Sequence, residues 1–228
     1  MEPPSTNPLA RSTTRNLARA ALGGIVCFTL AFVALHILQP DLSLLDEAMS
    51  YYVHGEMGWL TTVGLLGLGL GSLSLTIALA RLLHGRGWYV GVACLAVWSI
   101  SVLVGGVFPA DPPGNWDKPP SLAGAVHGYA AVAGLFVFPF AAVLLSRVLR
   151  REKHGRGAGG ITMLLAVASA ASLVAFIASL TPAIVTSGPP LLLGLTERIM
   201  LAAYAAWLTA VAMSLLIATY SPSGDKAA

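Results

Sequence analysis

Long apolar runs alternate with short polar stretches along this chain. Six runs, near Ala20–Leu38, Trp59–Ala80, Trp88–Val107, Ser121–Leu145, Gly160–Leu180 and Leu191–Tyr220, are long enough to cross a hydrocarbon core of about 30 Å as helices. Segments of strict apolar–polar alternation, the mark of a membrane barrel, do not occur. The pattern predicts an all-α membrane protein, a bundle of six transmembrane helices over residues 20–220. Short connections favour antiparallel neighbours. Residues 1–19 read as a basic tail, disordered over 1–14 where Pro, Ser and Thr dominate, and 221–228 as a second tail. The first run is too long for a signal-peptide core and lacks an Ala-x-Ala site, so it reads as a retained helix.

Composition narrows the class. The chain has 228 residues, of which 56% are hydrophobic and 10% charged. Soluble domains carry about 25% charged residues. No length is left for a separate soluble domain. Of the 13 basic residues, all but Lys118 and Arg198 fall before the first run, between runs two and three, between four and five, or after the sixth. The positive-inside rule then places both termini in the cytoplasm. These basic clusters read as a topology signal near anionic lipid heads, not as a nucleic-acid site. Asp41, Asp46, Glu47, Glu56, Asp111, Asp117 and Glu197 gather on the opposite, outer side.

Cys27 and Cys94 lie inside apolar runs, without Cys-x-x-Cys spacing, and read as small core residues. Gly67-x-x-x-Gly71 and Gly124-x-x-x-Gly128 let backbones approach closely. They serve internal packing or, alternatively, a homo-oligomer.

Candidate chemistry starts with Glu197 and Arg198, adjacent within the last apolar run. An ionisable group at the centre of a membrane helix costs about 2.5–3.5 kcal/mol, less toward its ends, and persists where it faces protein or a wet cavity. Glu197 is either an acid in a half-dry outer pocket or part of a brace with Arg198. A second signal lies in two proline-rich outer loops. The stretches Pro109–Pro120 and Pro182–Pro190 both begin Pro-Ala and end Pro-Pro. An ionisable residue follows at equal distance in each case, His127 and Glu197, about 9 Å into its helix at 1.5 Å per residue. Two titratable groups at equal depth can face one cavity. His127 either donates to a neighbouring carbonyl or acts as an acid–base partner. Asp111, before Pro112, either bonds its own turn or joins the site. His54, Asp111, His127 and Glu197 lack any local metal-ligand spacing, and no metal or other cofactor is expected. His36 is a weaker candidate at the outer end of the first helix.

At these residues a family resemblance enters. The elements Tyr52-Val53-His54-Gly55, Gly58-Trp59-Leu60, Phe108-Pro109-Ala110-Asp111-Pro112, His127 and Glu197-Arg198 resemble the bacterial six-helix membrane family catalogued as domain of unknown function 998. The resemblance runs from the first helix to the sixth. It implies six spans in the bacterial plasma membrane and a polar outer cluster, and it supplies no reaction.

Three functions fit. An enzyme would hold a lipid or isoprenoid in the apolar bundle, with Glu197 or Asp111 as acid and His127 as partner, a protonation chemistry analogous to that of membrane terpene cyclases. Arg198, His54, Tyr52, Trp59 and Trp116 would line the substrate, and Tyr51 and Phe108 add ring faces for a developing cation. A non-catalytic scaffold or lipid sensor needs the cluster only for stability. A transporter needs a polar path, which the inner halves of the helices do not provide. Membrane lipids are the expected partners, with a hydrophobic small molecule in the first case.

Overall fold

The computed structural model of the chain describes residues 8–82, 86–114, 118–151, 158–186 and 190–220. Its helices are α1 (Pro8–Leu38), α2 (Trp59–Leu82), α3 (Arg86–Val107), α4 (Leu122–Arg151), α5 (Ala158–Ser179), the short α6 (Thr181–Thr186) and α7 (Leu193–Tyr220). A 3-10 turn, Met49–His54, sits between α1 and α2. Six helices, all but α6, are long and apolar enough to cross a membrane. Among the described residues there is no strand. Each long helix packs on its neighbour in sequence, and α7 returns to α1, so the bundle closes into a ring. The six spans therefore leave both chain ends on one side. The opposite side carries the loops after α1, α3 and α5.

Several boundaries differ from the hydropathy pattern, α4 running on to Arg151, and two of the differences have a visible cause. The first helix continues back to Pro8, through residues whose polarity reads as tail. Its added turns are held by α7. Arg19 donates to the Tyr220 hydroxyl, and the Arg15 guanidinium lies 5.7 Å from the centre of the Tyr220 ring. The Pro182–Pro190 connection contains the single-turn helix α6, for which Pro182 in the first turn is pre-set.

Small residues set the closest approach. A Cβ on Gly24 of α1 would strike the Gly67 backbone of α2, and one on Gly71 would lie 2.9 Å from the Ala21 carbonyl oxygen. The Gly67–Gly71 face is thus used inside the molecule, between antiparallel α1 and α2. Gly124 faces the Asp111 side chain, while open space surrounds Gly128.

The core centres on an aromatic cluster from three helices. Phe138 of α4 stacks on Tyr204 of α7 at 4.0 Å, with Trp98 of α3 at 4.9 Å and Trp207 at 5.6 Å from Phe138. Each polar edge finds a partner. Trp98 Nε1 donates to Ser72 Oγ (3.2 Å) and Trp207 Nε1 to Ser146 Oγ (2.9 Å). The Tyr204 hydroxyl donates to the Leu135 carbonyl at 2.8 Å. That carbonyl is available because Pro139, four residues on, has no N–H to give it. In lipid a carbonyl freed this way must be satisfied by protein.

Tyr204→Phe should therefore lower stability by about 1–3 kcal/mol, the cost of an unpaired buried acceptor. In a Pro139→Ala background the same change should cost much less, since the substituted alanine would supply the missing N–H. Thermal unfolding of the four proteins in one detergent measures this; equal losses in both backgrounds would break the assignment.

Candidate functional site

The site lies at the loop end of the bundle, where α7 meets α1 and the 39–58 loop. Gly194 makes this approach possible. A Cβ there would run into the carbonyl oxygens of Glu47 and Leu44 and the Arg198 guanidinium. Leu195 N–H donates to the Leu45 carbonyl at 3.0 Å, tying the start of α7 to the loop. Just before it, Leu192 takes a left-handed conformation with φ 52°. Such a conformation costs a non-glycine residue about 1–2 kcal/mol, which the docked start of α7 offsets.

Glu197 and Arg198 then part company, because adjacent helical positions point about 100° apart. Arg198 turns to α1 and the loop. Its Nε donates to His36 Nε2 (2.8 Å), one terminal nitrogen to the Glu47 carbonyl (2.9 Å) and the other to the Tyr52 hydroxyl (3.2 Å). Its charge also sits 5.8 Å from the centre of the Tyr52 ring. Arg is never an acceptor, so His36 Nε2 carries the lone pair. His36 Nδ1 then holds the proton and donates to the Phe32 carbonyl. Each of the three guanidinium nitrogens of Arg198 is engaged.

Glu197 turns inward. Its Oε2 accepts the Met49 backbone N–H at 2.6 Å, and Oε1 has no partner among the described residues. Burial, with the charges of Glu197 and then Glu47, pushes the nearby Tyr51 phenol up to about 12, so it remains a neutral hydroxyl. Glu197 lines a cavity whose other walls include Phe32, Leu68, Trp98, Leu135 and Leu201.

His127 lines the same cavity. Its Nδ1 lies 3.1 Å from the Gly105 carbonyl and 2.9 Å from that of Phe108. Both are acceptors, so Nδ1 carries the proton, and in the neutral form of the ring the lone pair is on Nε2. The reason is again a proline: Pro109, four residues after Gly105, cannot supply the helical N–H. His127 thereby seals the end of α3 and holds a fixed tautomer. Its Nε2 has no partner among the described residues.

The remaining candidates have other placements. Asp111 lines no cavity with Glu197. Its two oxygens accept the Ser121 hydroxyl (2.6 Å) and N–H (2.9 Å), while Ser121 Oγ accepts the Gly124 N–H at 3.0 Å as the N-cap of α4. The Ser121 hydroxyl first, then its N–H, hold the Asp111 carboxyl below the usual carboxylate range, with His54 adding to the effect and burial opposing it weakly. His54 Nε2 donates to the Ala110 carbonyl at 2.8 Å and ties the first loop to the second. Tyr52 is fully buried beneath Arg198, and Trp59 is 60% exposed on the outside of α2. Trp116 lies outside the described residues. Among the described residues no three His, Cys, Asp or Glu side chains are grouped to hold a metal ion.

Sequence reasoning passed over Trp98, Ser101, Ser50 and Gly194. Only the paired prolines pointed toward them: Pro109 and Pro139 each free a carbonyl that another helix must satisfy, and Gly105 and Leu135 both line the cavity.

Six apolar spans in a closed ring, with one carboxyl and one imidazole on a cavity near its end, define a multi-pass helical membrane protein. Within that class the chain belongs to the protein family of unknown function DUF998, whose match covers residues 21–214. Comparison with curated proteins and with solved structures returns no match.

Two changes test this frame. Gly194→Ala should cost about 1–3 kcal/mol by overpacking against backbone, read as a lower unfolding temperature. The depressed carboxyl of Asp111 makes its clamp present above the unfolded carboxylate pKa and lost as pH falls through the lowered one. Hydrogen exchange at Ser121–Gly124, corrected for intrinsic rate, should stay slow from neutral to mildly acidic pH and speed up only below the carboxylate range. Asp111→Asn should remove that pH step.

Proposed function

We propose that the protein is a membrane enzyme acting on a lipid or isoprenoid by acid–base catalysis, from the outer leaflet of a bacterial plasma membrane. One observation carries this reading: Glu197 and His127 line a single, otherwise apolar cavity, each with one oxygen or nitrogen left unpartnered among the described residues. The placement of basic residues toward the end that holds the termini supports the outer location.

The chemistry balances without a co-reactant. Protonated Glu197 gives its proton to one carbon of an alkene, whose π pair forms the new C–H bond. The neighbouring carbon becomes a cation, and the face of Trp98 stabilises it. His127 Nε2 removes a proton from a carbon flanking the cation, and that C–H pair becomes the new double bond. Transfer of the proton from His127 back to Glu197 closes the cycle. The net reaction is isomerisation, or cyclisation where a second double bond captures the cation. Asp111, His54, Tyr52 and Arg198 act as frame in this reading.

Glu197→Gln and His127→Ala, expressed in the host, test it through membrane abundance and the lipid and terpenoid profile. The reading expects normal abundance with loss of one product and accumulation of its isomer or precursor. Abundance that collapses with both changes assigns the pair a bracing role, and an unchanged profile at normal abundance removes the reaction.

A further inference from the structure

A second cavity adjoins the first and shares Ser50, Leu65, Gly105 and His127 with it. Their linings differ. The first, which Glu197 lines, is nearly all hydrocarbon, whereas the second carries the hydroxyl residues Ser50, Thr61 and Thr62 beside His127.

Thr61 is the telling residue. It is 2% exposed, and its hydroxyl has no hydrogen-bond partner among the described residues. Elsewhere in this chain helical threonines return the hydroxyl to the carbonyl four residues back, as Thr29 does to Ile25, Thr76 to Ser72 and Thr209 to Ala205. For Thr61 that carbonyl belongs to Met57 and accepts the Leu60 N–H instead. A buried hydroxyl left unpaired is costly, so an unpaired donor on a residue that lines a cavity calls for an acceptor from a ligand.

Charge limits what that ligand can be. No Lys or Arg among the described residues lines either cavity. The three guanidinium nitrogens of Arg198 are engaged by His36, Glu47 and Tyr52, and the side chain lines neither cavity. A phosphate or diphosphate head would enter without a countercharge and beside Glu197, whereas an uncharged oxygen would meet a ready donor.

We propose that the two cavities form one amphiphile site: the second holds an uncharged alcohol or carbonyl head against Thr61 Oγ1, and the first holds its hydrocarbon chain. This names the substrate class of the acid–base reading, and it rests on that reading only for what happens to the ligand after binding.

The test is binding to the full-length protein in nanodiscs, by calorimetry, of three probes with one chain: farnesol, farnesyl diphosphate and farnesene. Wild type should bind farnesol most tightly, with the diphosphate at least tenfold weaker and the headless hydrocarbon weaker by the loss of one hydrogen bond. Thr61→Val should weaken farnesol up to about tenfold, the range of one neutral hydrogen bond, and leave farnesene unchanged. Thr61→Ser should restore farnesol binding. Should Thr61→Val fail to fold, the head-group series on wild type decides alone. The assignment is overturned if wild type does not bind farnesol, if the diphosphate or farnesene binds as tightly as the alcohol, or if Thr61→Val and wild type hold farnesol alike. Glu197→Gln separates the two levels: farnesol binding retained with the cellular lipid profile unchanged leaves the site standing and removes the reaction.

Discussion

Arg198 closes the ring. Its three hydrogen bonds reach α1 through His36, the first loop through the Glu47 carbonyl, and the 3-10 turn through Tyr52. A guanidinium near a membrane interior is tolerable only when its donors are used, and here both terminal nitrogens and Nε are engaged. The seam between first and last spans is consequently fixed at the loop end. The other end of the seam has its own clasp, Arg15 and Arg19 around Tyr220. The loop-end clasp sets position. It brings the 3-10 turn over the bundle, so that Met49 N–H meets Glu197 and Ser50 reaches both cavities. Without Arg198 facing outward from the cavity, Glu197 would have no fixed neighbour to aim it inward.

The spans were legible because hydropathy is local: a run of apolar residues reports its own burial without reference to the rest of the chain. The place of His127 and Glu197 near the starts of their helices was also legible from the two proline loops, though not at the equal depth expected: His127 stands five residues past Leu122 and Glu197 four past Leu193. Their meeting on one cavity was not legible, because it depends on which helices become neighbours. The roles of Asp111 and His54 were open for a similar reason. Asp beside Pro can turn on itself or reach outward, and the choice is made by Ser121 at the start of another helix. Tyr52 read as a residue that would line a substrate, and only the approach of α7 turns it into the floor beneath Arg198. The start of α1 is hidden from hydropathy because Arg15 and Arg19 are polar by composition, yet find a partner in Tyr220, some two hundred positions away in the chain.

Two prolines give the site a logic that composition hides. Pro109 and Pro139 each withhold an N–H from the carbonyl of a residue that lines the Glu197 cavity, Gly105 and Leu135. His127 and Tyr204 answer them from other helices. The same substitution of side chain for backbone therefore does two jobs. It satisfies the membrane's demand that no carbonyl be left bare, and it locks two polar side chains in orientation. For Tyr204 the result is structural, since its hydroxyl is consumed. For His127 one nitrogen is consumed and the other is not.

That asymmetry sets the direction of any proton traffic. With Nδ1–H committed to two carbonyls, the neutral imidazole of His127 can only receive at Nε2. With Oε2 committed to Met49 N–H, the carboxyl of Glu197 exchanges its proton most freely at Oε1. On the proposed reading the pair is thus polarised before substrate arrives: a donor oxygen on α7, an acceptor nitrogen on α4, and hydrocarbon walls around both. Hydrocarbon walls keep water from quenching a cation, so an alkene protonated there can collapse by losing a proton to the imidazole rather than by capturing solvent. An open, wet pocket with the same two groups would favour hydration instead. The chemistry expected of the site follows as much from Leu68, Leu135 and Leu201 as from the two residues that ionise.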